Sequence, residues 1–447
     1  MSPDPAEPGG PPPLGGAPTL ARDKLSKTFV LVWLGQSVSE IGGALSDFAI
    51  GVWVYQQTGQ LEDFALTALW ANLPAIAVLP FSGALADAFD RRRLMIFADI
   101  GAGLSRLSIA LVVGLGALHL WQLWLAVGIG ALCTAIRGPA YVSSTSQLVP
   151  KGSLARADGL VQASRAAAHL LSPLLGALLL GAISLNGILL LDVLTFGLAV
   201  VVLLGVRFPP LAAARVERPL FADLGLGWRF TSQRPGLIGL LMLLGLTKFL
   251  FGLVTVLVTP LGLSLGNPTL LGLVLSGGGA AMLLGGTVMG IWGGPARRLR
   301  GIVTFTLLCG LFVALAGSRP SLWLLGVGMM GVLFCLPFVN GFNQAIWQVK
   351  VPHEAQGRVF ALIELVGQAS MTLAFVLAAP LVTTVFAPLL RRADWAGRAC
   401  AALVGTGLGR PEGLLFVAAG WVLVVAAAVA VAHPRLRGVE RELPDAQ

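Results

Sequence analysis

The 447-residue chain is 56% hydrophobic and only 11% charged, whereas about a quarter of an average soluble domain is charged. That balance excludes a soluble globular protein, and the lack of alternating strands of about ten residues excludes an outer-membrane barrel. The formal net charge of +9 sits in short loops between apolar runs, where it acts as a topology signal and implies no nucleic-acid partner.

The first 28 residues, with PDPAEPGGPPPLGGAP, carry too much Pro and Gly to fold or to act as a signal peptide, and are expected to be a disordered tail. Twelve apolar spans follow, at 29–57, 64–86, 94–117, 121–146, 160–183, 186–206, 237–264, 269–293, 301–318, 321–347, 359–389 and 413–433. Each is long enough to cross a ~30 Å hydrocarbon core as a helix. The expected fold is therefore all-α and integral to the membrane: a six-helix N-terminal half (29–206), a linker (207–236), a six-helix C-terminal half (237–433) and a tail (434–447). An even number of spans puts both termini on one side. Of the 30 Lys and Arg, 21 fall in loops on that side and five on the other, so both termini are expected in the cytoplasm. In the linker, DLGLGWRF reads as a short helix on the membrane surface.

A charge at membrane depth costs about 2.5–3.5 kcal/mol on insertion scales, so each one needs a reason. Gln36, Glu40, Gly43 and Asp47 fall on one face of the first helix at 3.6 residues per turn, a face expected to line a central cavity. Glu40 is a candidate for proton coupling or for attracting a cationic substrate; its alternative is a structural ion pair with Arg137, Arg106 or Lys248. Asp47 carries the same two readings. Asp99 is expected to join an arginine cluster near its helix end, and Asp192 to pair with Arg165. In the fifth span, LLSPLLGALL places Pro173 where it bends the helix and Gly176 where helices pack closely. In the second half, Asn340, Asn343 and Gln344 make a polar stripe at i, i+3, i+4 spacing, able to bind a polar substrate or to join helices. Lys248 is the one lysine within a span, and an acidic substrate or Glu364 is its expected partner. The glycine-rich stretch 276–294 is expected to be a helix-packing face.

Between the second and third spans lies GALADAFDRRR, with Gly83, Asp87, Arg91, Arg92 and Arg93. It is echoed by GPARRLRG near residue 297, with Gly294 where Asp87 would stand. A second echo pairs LVPKGSLARADGLVQ from Leu148 with VKVPHEAQGRVFALIE from Val349. Parallel six-helix repeats with a site at their interface are an architecture of secondary transporters.

Over nearly all of residues 29–440 the chain resembles the major facilitator superfamily. GALADAFDRRR is similar to the family's loop G-x-L-a-D-r-x-G-r-[KR], with Gly83, Leu85, Asp87, Arg91 and Arg92 matching and Ala88 and Asp90 departing from it. Together with GQSVSEIGGALSDFAIGVWVYQQTG, YVSSTSQLVPKGSLARADGL and AIWQVKVPHEAQGRVFALIE, it resembles the bacterial exporter branch that includes macrolide and siderophore efflux proteins and transporters associated with nonribosomal peptide synthetases. The resemblance implies that Asp87 faces the start of the eleventh span and that the loop latches the cytoplasmic side, its arginines binding carboxylates or lipid phosphates. It likens Arg137 to an arginine linked to proton transfer, and Pro173 and Gly176 to a degenerate antiporter motif.

No P-loop is present, so ATP is not expected to drive the protein. GLSLG at 262–266 has no strand before it and is a chance match to a hydrolase elbow. Four dispersed His and four unpaired Cys give no metal site or disulfide framework. The expectation is a non-enzymatic, cofactor-free, monomeric transporter of the bacterial inner membrane, driven by the proton gradient and exporting an amphiphilic small molecule among membrane lipids. A lipid or lysolipid translocator, and a non-transporting sensor or assembly subunit, are the alternatives.

Overall fold

The structure is a computed structural model describing residues 26–149, 153–208, 220–295, 297–392 and 394–433. The expected disordered tails (1–28 and 434–447) and the middle of the linker lie almost wholly outside these residues; only Ser26, Lys27 and Thr28 of the first tail are described, and they open the first helix.

Every regular element described is helical. The first half comprises α1 (Lys27–Thr58), α2 (Leu61–Ala88), α3 (Arg91–Gly114), α4 (Leu120–Leu148) and α5 (Leu154–Gly205); α6 (Leu220–Ser232) lies in the linker. The second half comprises α7 (Pro235–Leu265), α8 (Pro268–Trp292), α9 (Arg298–Ser318), α10 (Leu322–Lys350), α11 (His353–Pro380), a π-helical segment (Leu381–Phe386), α12 (Ala387–Arg391), α13 (Trp395–Val404) and α14 (Arg410–Ala432). Eleven helices among the described residues are long and apolar enough to cross a membrane. One of them, α5, runs 52 residues, or ~78 Å at helical rise, more than twice a hydrocarbon core. It is broken at Ser184 (φ 60°, ψ 176°), where the chain reverses, so α5 supplies two spans and the total is twelve.

Local sequence sets the helix ends. Ser26, Asp90 and Asn267 cap α1, α3 and α8 by accepting a backbone N–H three residues on, and Pro235 and Pro268 occupy first-turn positions where a missing N–H costs nothing. Gly59 and Gly293 end α1 and α8 in the left-handed region. The last span begins at Arg410, which the sequence reading left in a loop; Arg410 is buried, and one guanidinium nitrogen donates to the Val404 carbonyl at 2.9 Å.

Connectivity defines two ends of the bundle: a basic end bearing the turns near residues 90, 150, 207, 295 and 352, and an opposite end bearing those near 60, 117, 184, 266, 320 and 400. At the basic end each half has its own apolar core. One gathers Phe29, Met95, Tyr141, Ala157 and Leu203; the other gathers Leu237, Leu299, Phe338, Trp347 and Val359. At the opposite end the first half keeps a core of its own around Ile50, Ile109, Leu123 and Leu189, and a further core crosses between the halves, packing Leu61, Phe64 and Ala65 of α2 against Leu250, Leu257 and Leu261 of α7 and Ala374 and Ala378 of α11.

A second seam joins the halves through α5 and α8. A Cβ on Gly272 would stand 2.5 Å from the Pro173 carbonyl oxygen, and one on Gly279 would stand 2.9 Å from the Leu170 Cα. Backbones approach this closely only where side chains are absent. The glycine-rich face of α8 therefore does pack, but through Gly272, Gly278, Gly279 and Gly285; Gly286 and Gly290 face open space.

The repeats recur at atomic level. Arg91, opening α3, donates to the Ser143 carbonyl of α4 at 2.9 Å, and Arg298, opening α9, donates to the Ala345 carbonyl of α10 at 2.9 Å. Each acceptor lies five residues before its helix ends. Arg92 donates to the Leu203 and Leu204 carbonyls at 2.7 and 2.8 Å. Arg91 and Arg92 thus place positive charge near the carbonyl-bearing C-terminal ends of α4 and α5, where a cation is favoured. Arg93 is exposed, and its amide is bonded by Asp90 at 2.9 Å. The surroundings of Gly83 and the side chain of Asp87 lie outside what the structure describes. Gly294 adopts φ +90°, and a Cβ there would overlap the Phe342 ring, which explains the missing acid in the second copy.

Candidate functional site

In the first half the charges within the spans form three separate groups. Arg137 of α4 bonds Asp99 of α3 at 3.1 Å and the Gln36 carbonyl oxygen of α1 at 3.2 Å, while the Gln36 amide donates to Asp99 at 2.8 Å. Asp99 is fully buried and Gln36 is 3% exposed. Asp99 therefore does not join the arginine cluster at the basic end; its burial obliges it to take the nearest cation, Arg137. The Arg137 guanidinium also lies 6.0 Å from the centre of the Phe196 ring.

Asp192 does not pair with Arg165. Its partner is Arg106 of α3, at 3.4 Å, and Arg106 also holds Asp47 of α1. The α1 backbone makes room at Gly42, where a Cβ would lie 2.9 Å from an Asp192 carboxylate oxygen. Arg165 of α5 pairs instead with Glu40, at 3.4 Å. The partner of Glu40 is thus none of the three cations the sequence suggested: Arg137 and Arg106 are held by deeper carboxylates, and Lys248 is in the other half.

The α1 polar face divides accordingly. Gln36 points into the helix bundle, whereas the Glu40 and Asp47 side chains are 28% and 58% exposed and a Cβ on Gly43 would meet open space. Pro173 lies at the α5–α8 seam described above, whereas Gly176 packs within the first half on the Phe48 ring of α1.

In the second half, the separately named polar residues converge. A cavity of about 410 Å³ is walled by α7, α10 and α11. Its polar lining is Lys248, Asn340, Asn343, Gln344, Glu364 and Gln368; Leu244, Trp347, Phe360, Ile363 and Met371 supply its apolar wall. Lys248 lies thirteen residues into α7 and Glu364 eleven into α11, or ~20 and ~17 Å from the basic end. Glu364 accepts a hydrogen bond from Gln368 at 2.9 Å. Lys248 has no ion pair among the described residues, and none of the amides of Asn340, Asn343 or Gln344 is hydrogen-bonded to another described residue. Trp347 and Gln368 were not foreseen. Both fall one turn from a named residue, at i+3 or i+4 from Gln344, Asn343 and Glu364, and helical spacing could have found them.

Cys309 and Cys335 pack in one small core and are free thiols; no cluster able to hold a metal occurs among the described residues. Ser264 of the GLSLG stretch donates to Leu261 within α7, a local helix contact.

A family model described as Major Facilitator Superfamily matches residues 32–375. The chain belongs to this superfamily. The match contains every candidate residue from Gln36 to Glu364, so the paired charges and the cavity lie within the superfamily's transport fold, a multi-pass membrane architecture. Among curated relatives, macrolide efflux protein A of Streptococcus pyogenes is 26% identical over 359 residues, covering 78% of this chain and 88% of that protein. The multidrug efflux pump Tap of Mycolicibacterium fortuitum is 22% identical over 403 residues, covering 83% and 98%. Among solved structures, an inward-facing, unoccupied bacterial homologue of the human lysosomal transporter Spinster aligns with TM-score 0.68 at 15% identity, covering 93% of this chain and 97% of that one. An inward-facing bacterial homologue of the iron transporter ferroportin aligns with TM-score 0.67 at 14% identity, covering 90% and 98%.

Proposed function

We propose that the protein is a proton-coupled secondary transporter that exports an amphiphilic small molecule across the bacterial cytoplasmic membrane by alternating access, as a monomer and without a cofactor. The observation that carries this reading is the asymmetry of the two ends: a core shared between halves at one end and separate cores at the other, with a polar-lined cavity ~17–20 Å in from that second end. That is one of the two states an alternating-access carrier must visit. Positive-inside sorting puts the basic end, where the halves do not share a core, in the cytoplasm, which makes an inward-facing state the reading. The efflux relatives support the outward direction. Glu40 and Asp47 are the proton-carrying candidates, because both are ionisable, partly accessible and held by arginines from other helices. The energy source is then the proton gradient.

The deciding experiment compares cell pellet and medium of the native host, with and without this gene, by untargeted mass spectrometry. A compound that builds up in the mutant pellet and leaves the medium supports export and names the substrate. A change confined to membrane lipids replaces this reading with lipid translocation, and no change in either sinks it for that host.

A further inference from the structure

We infer that the cavity between α7, α10 and α11 is a recognition site for a zwitterionic amphiphile: Lys248 takes its anionic group, Glu364 its ammonium, and the apolar wall its body. The inference rests on the transporter reading and specifies its substrate class.

The first ground is charge matching. The three arginines within the spans of the first half each have a carboxylate within ion-pair distance. Lys248, the lysine in the second half's spans, has none among the described residues, although a charge at this depth is costly to leave alone. The chain supplies the other half's partners internally and leaves this one to an incoming group.

The second ground is an unmet donor. Trp347 lines the same cavity and is 1% exposed, yet its indole N–H has no hydrogen-bond partner among the described residues. Buried indole N–H groups normally find one. Beside it the amides of Asn340, Asn343 and Gln344 are uncommitted. An ammonium, an indole N–H and carboxamides together form a donor set suited to an oxyanion such as a carboxylate.

The third ground explains why a simple anion does not suffice. The Lys248 side chain lies along Gly367, where a built Cβ would sit 3.8 to 4.0 Å from its stem. Gly367 is three residues, about one helical turn, from Glu364. A lone anion on Lys248 would therefore sit close to the Glu364 carboxylate and be repelled by it. A ligand carrying both charges satisfies both residues, while Leu244, Phe360, Ile363 and Met371 receive an alkyl or aromatic body.

The test uses the full-length protein in lipid nanodiscs and a chain-matched series: 2-aminooctanoate, octanoate, octylamine and octanol. Binding is read by calorimetry at neutral pH, with empty nanodiscs subtracted. The expected result is that 2-aminooctanoate binds about tenfold tighter, or more, than each of the others. Lys248→Ala should reduce it to the level of octylamine, Glu364→Gln to the level of octanoate, and Lys248→Arg should keep most of the preference, which also controls for folding. Octylamine or octanol matching 2-aminooctanoate, or its preference surviving Lys248→Ala, overturns the proposal. Octanoate matching it overturns the role of Glu364. Transport is scored separately in cells: export without charge-selective binding sinks the site and spares the exporter reading, whereas selective binding without export does the reverse.

Discussion

The amide of Leu174, on α5 of the first half, donates to the hydroxyl of Ser276, on α8 of the second, at 3.1 Å. This hydrogen bond sits among Gly272, Gly279, Pro173 and Leu170, where the two backbones nearly touch, and it ties the halves together on the side of their shared core.

Filling that seam should open it. In Gly272→Leu the new side chain would meet the Pro173 carbonyl directly. Overpacking of this kind costs about 1–3 kcal/mol, and a bias of that size shifts a two-state equilibrium roughly 5- to 150-fold. Spin labels at Gln60 and Asn267, in a background without the four cysteines, should report a longer distance in the variant, together with loss of efflux. An unchanged distance distribution would show that the seam does not gate.

Removing one member of the Arg137–Asp99–Gln36 group should be worse than removing both charges. Arg137→Gln strands a fully buried carboxylate, a loss of about 3–5 kcal/mol, and the expected outcome is poor expression and a sharply lowered thermal midpoint. The double variant Arg137→Gln with Asp99→Asn should recover much of it. Equal stability of single and double variants would mean that the pair is not coupled.

Arg106 has two carboxylates, Asp47 and Asp192, while Arg137 and Arg165 have one each. Asp192 is buried and Asp47 is 58% exposed, which makes Asp47 the accessible coupling candidate of the two. Asp47→Asn should abolish dependence of efflux on the proton gradient with normal protein level, and Glu40→Gln should reduce efflux less. The reverse ranking, read in energised and uncoupled vesicles, would assign coupling to Glu40.

The repeated clasps should be equivalent. Arg91→Ala and Arg298→Ala each delete a charged donor to a helix carbonyl, worth about 1.5–3 kcal/mol, and each is expected to lower the unfolding midpoint by a similar amount. A large drop in only one would show that the repeat is geometric without being energetic.

The spans were legible because membrane helices are written in continuous apolar length, and even the broken α5 appeared as two runs separated near Ser184. The second-half cavity was legible residue by residue, since Lys248, Asn340, Asn343, Gln344 and Glu364 are exceptions to their surroundings. Partner choice was not. Asp99, Asp192 and Glu40 each had several cations within plausible reach along the sequence, and the selection depends on how helices rotate and cross. Gly42 decides how closely α1 approaches Asp192, and nothing in its own neighbourhood of the sequence announces that. The same holds for the carbonyls that Arg91 and Arg92 bond, which leave no trace in side-chain identity.

The α5–α8 seam also bears on speed. A joint built on Gly272, Ser276 and Gly279 has few protruding side chains to withdraw from pockets, so parting it forfeits dispersion contacts and one neutral hydrogen bond without a cascade of rotamer changes. Such a joint can open and close quickly, and on the proposed carrier reading that leaves capture and release of cargo as the steps that set turnover.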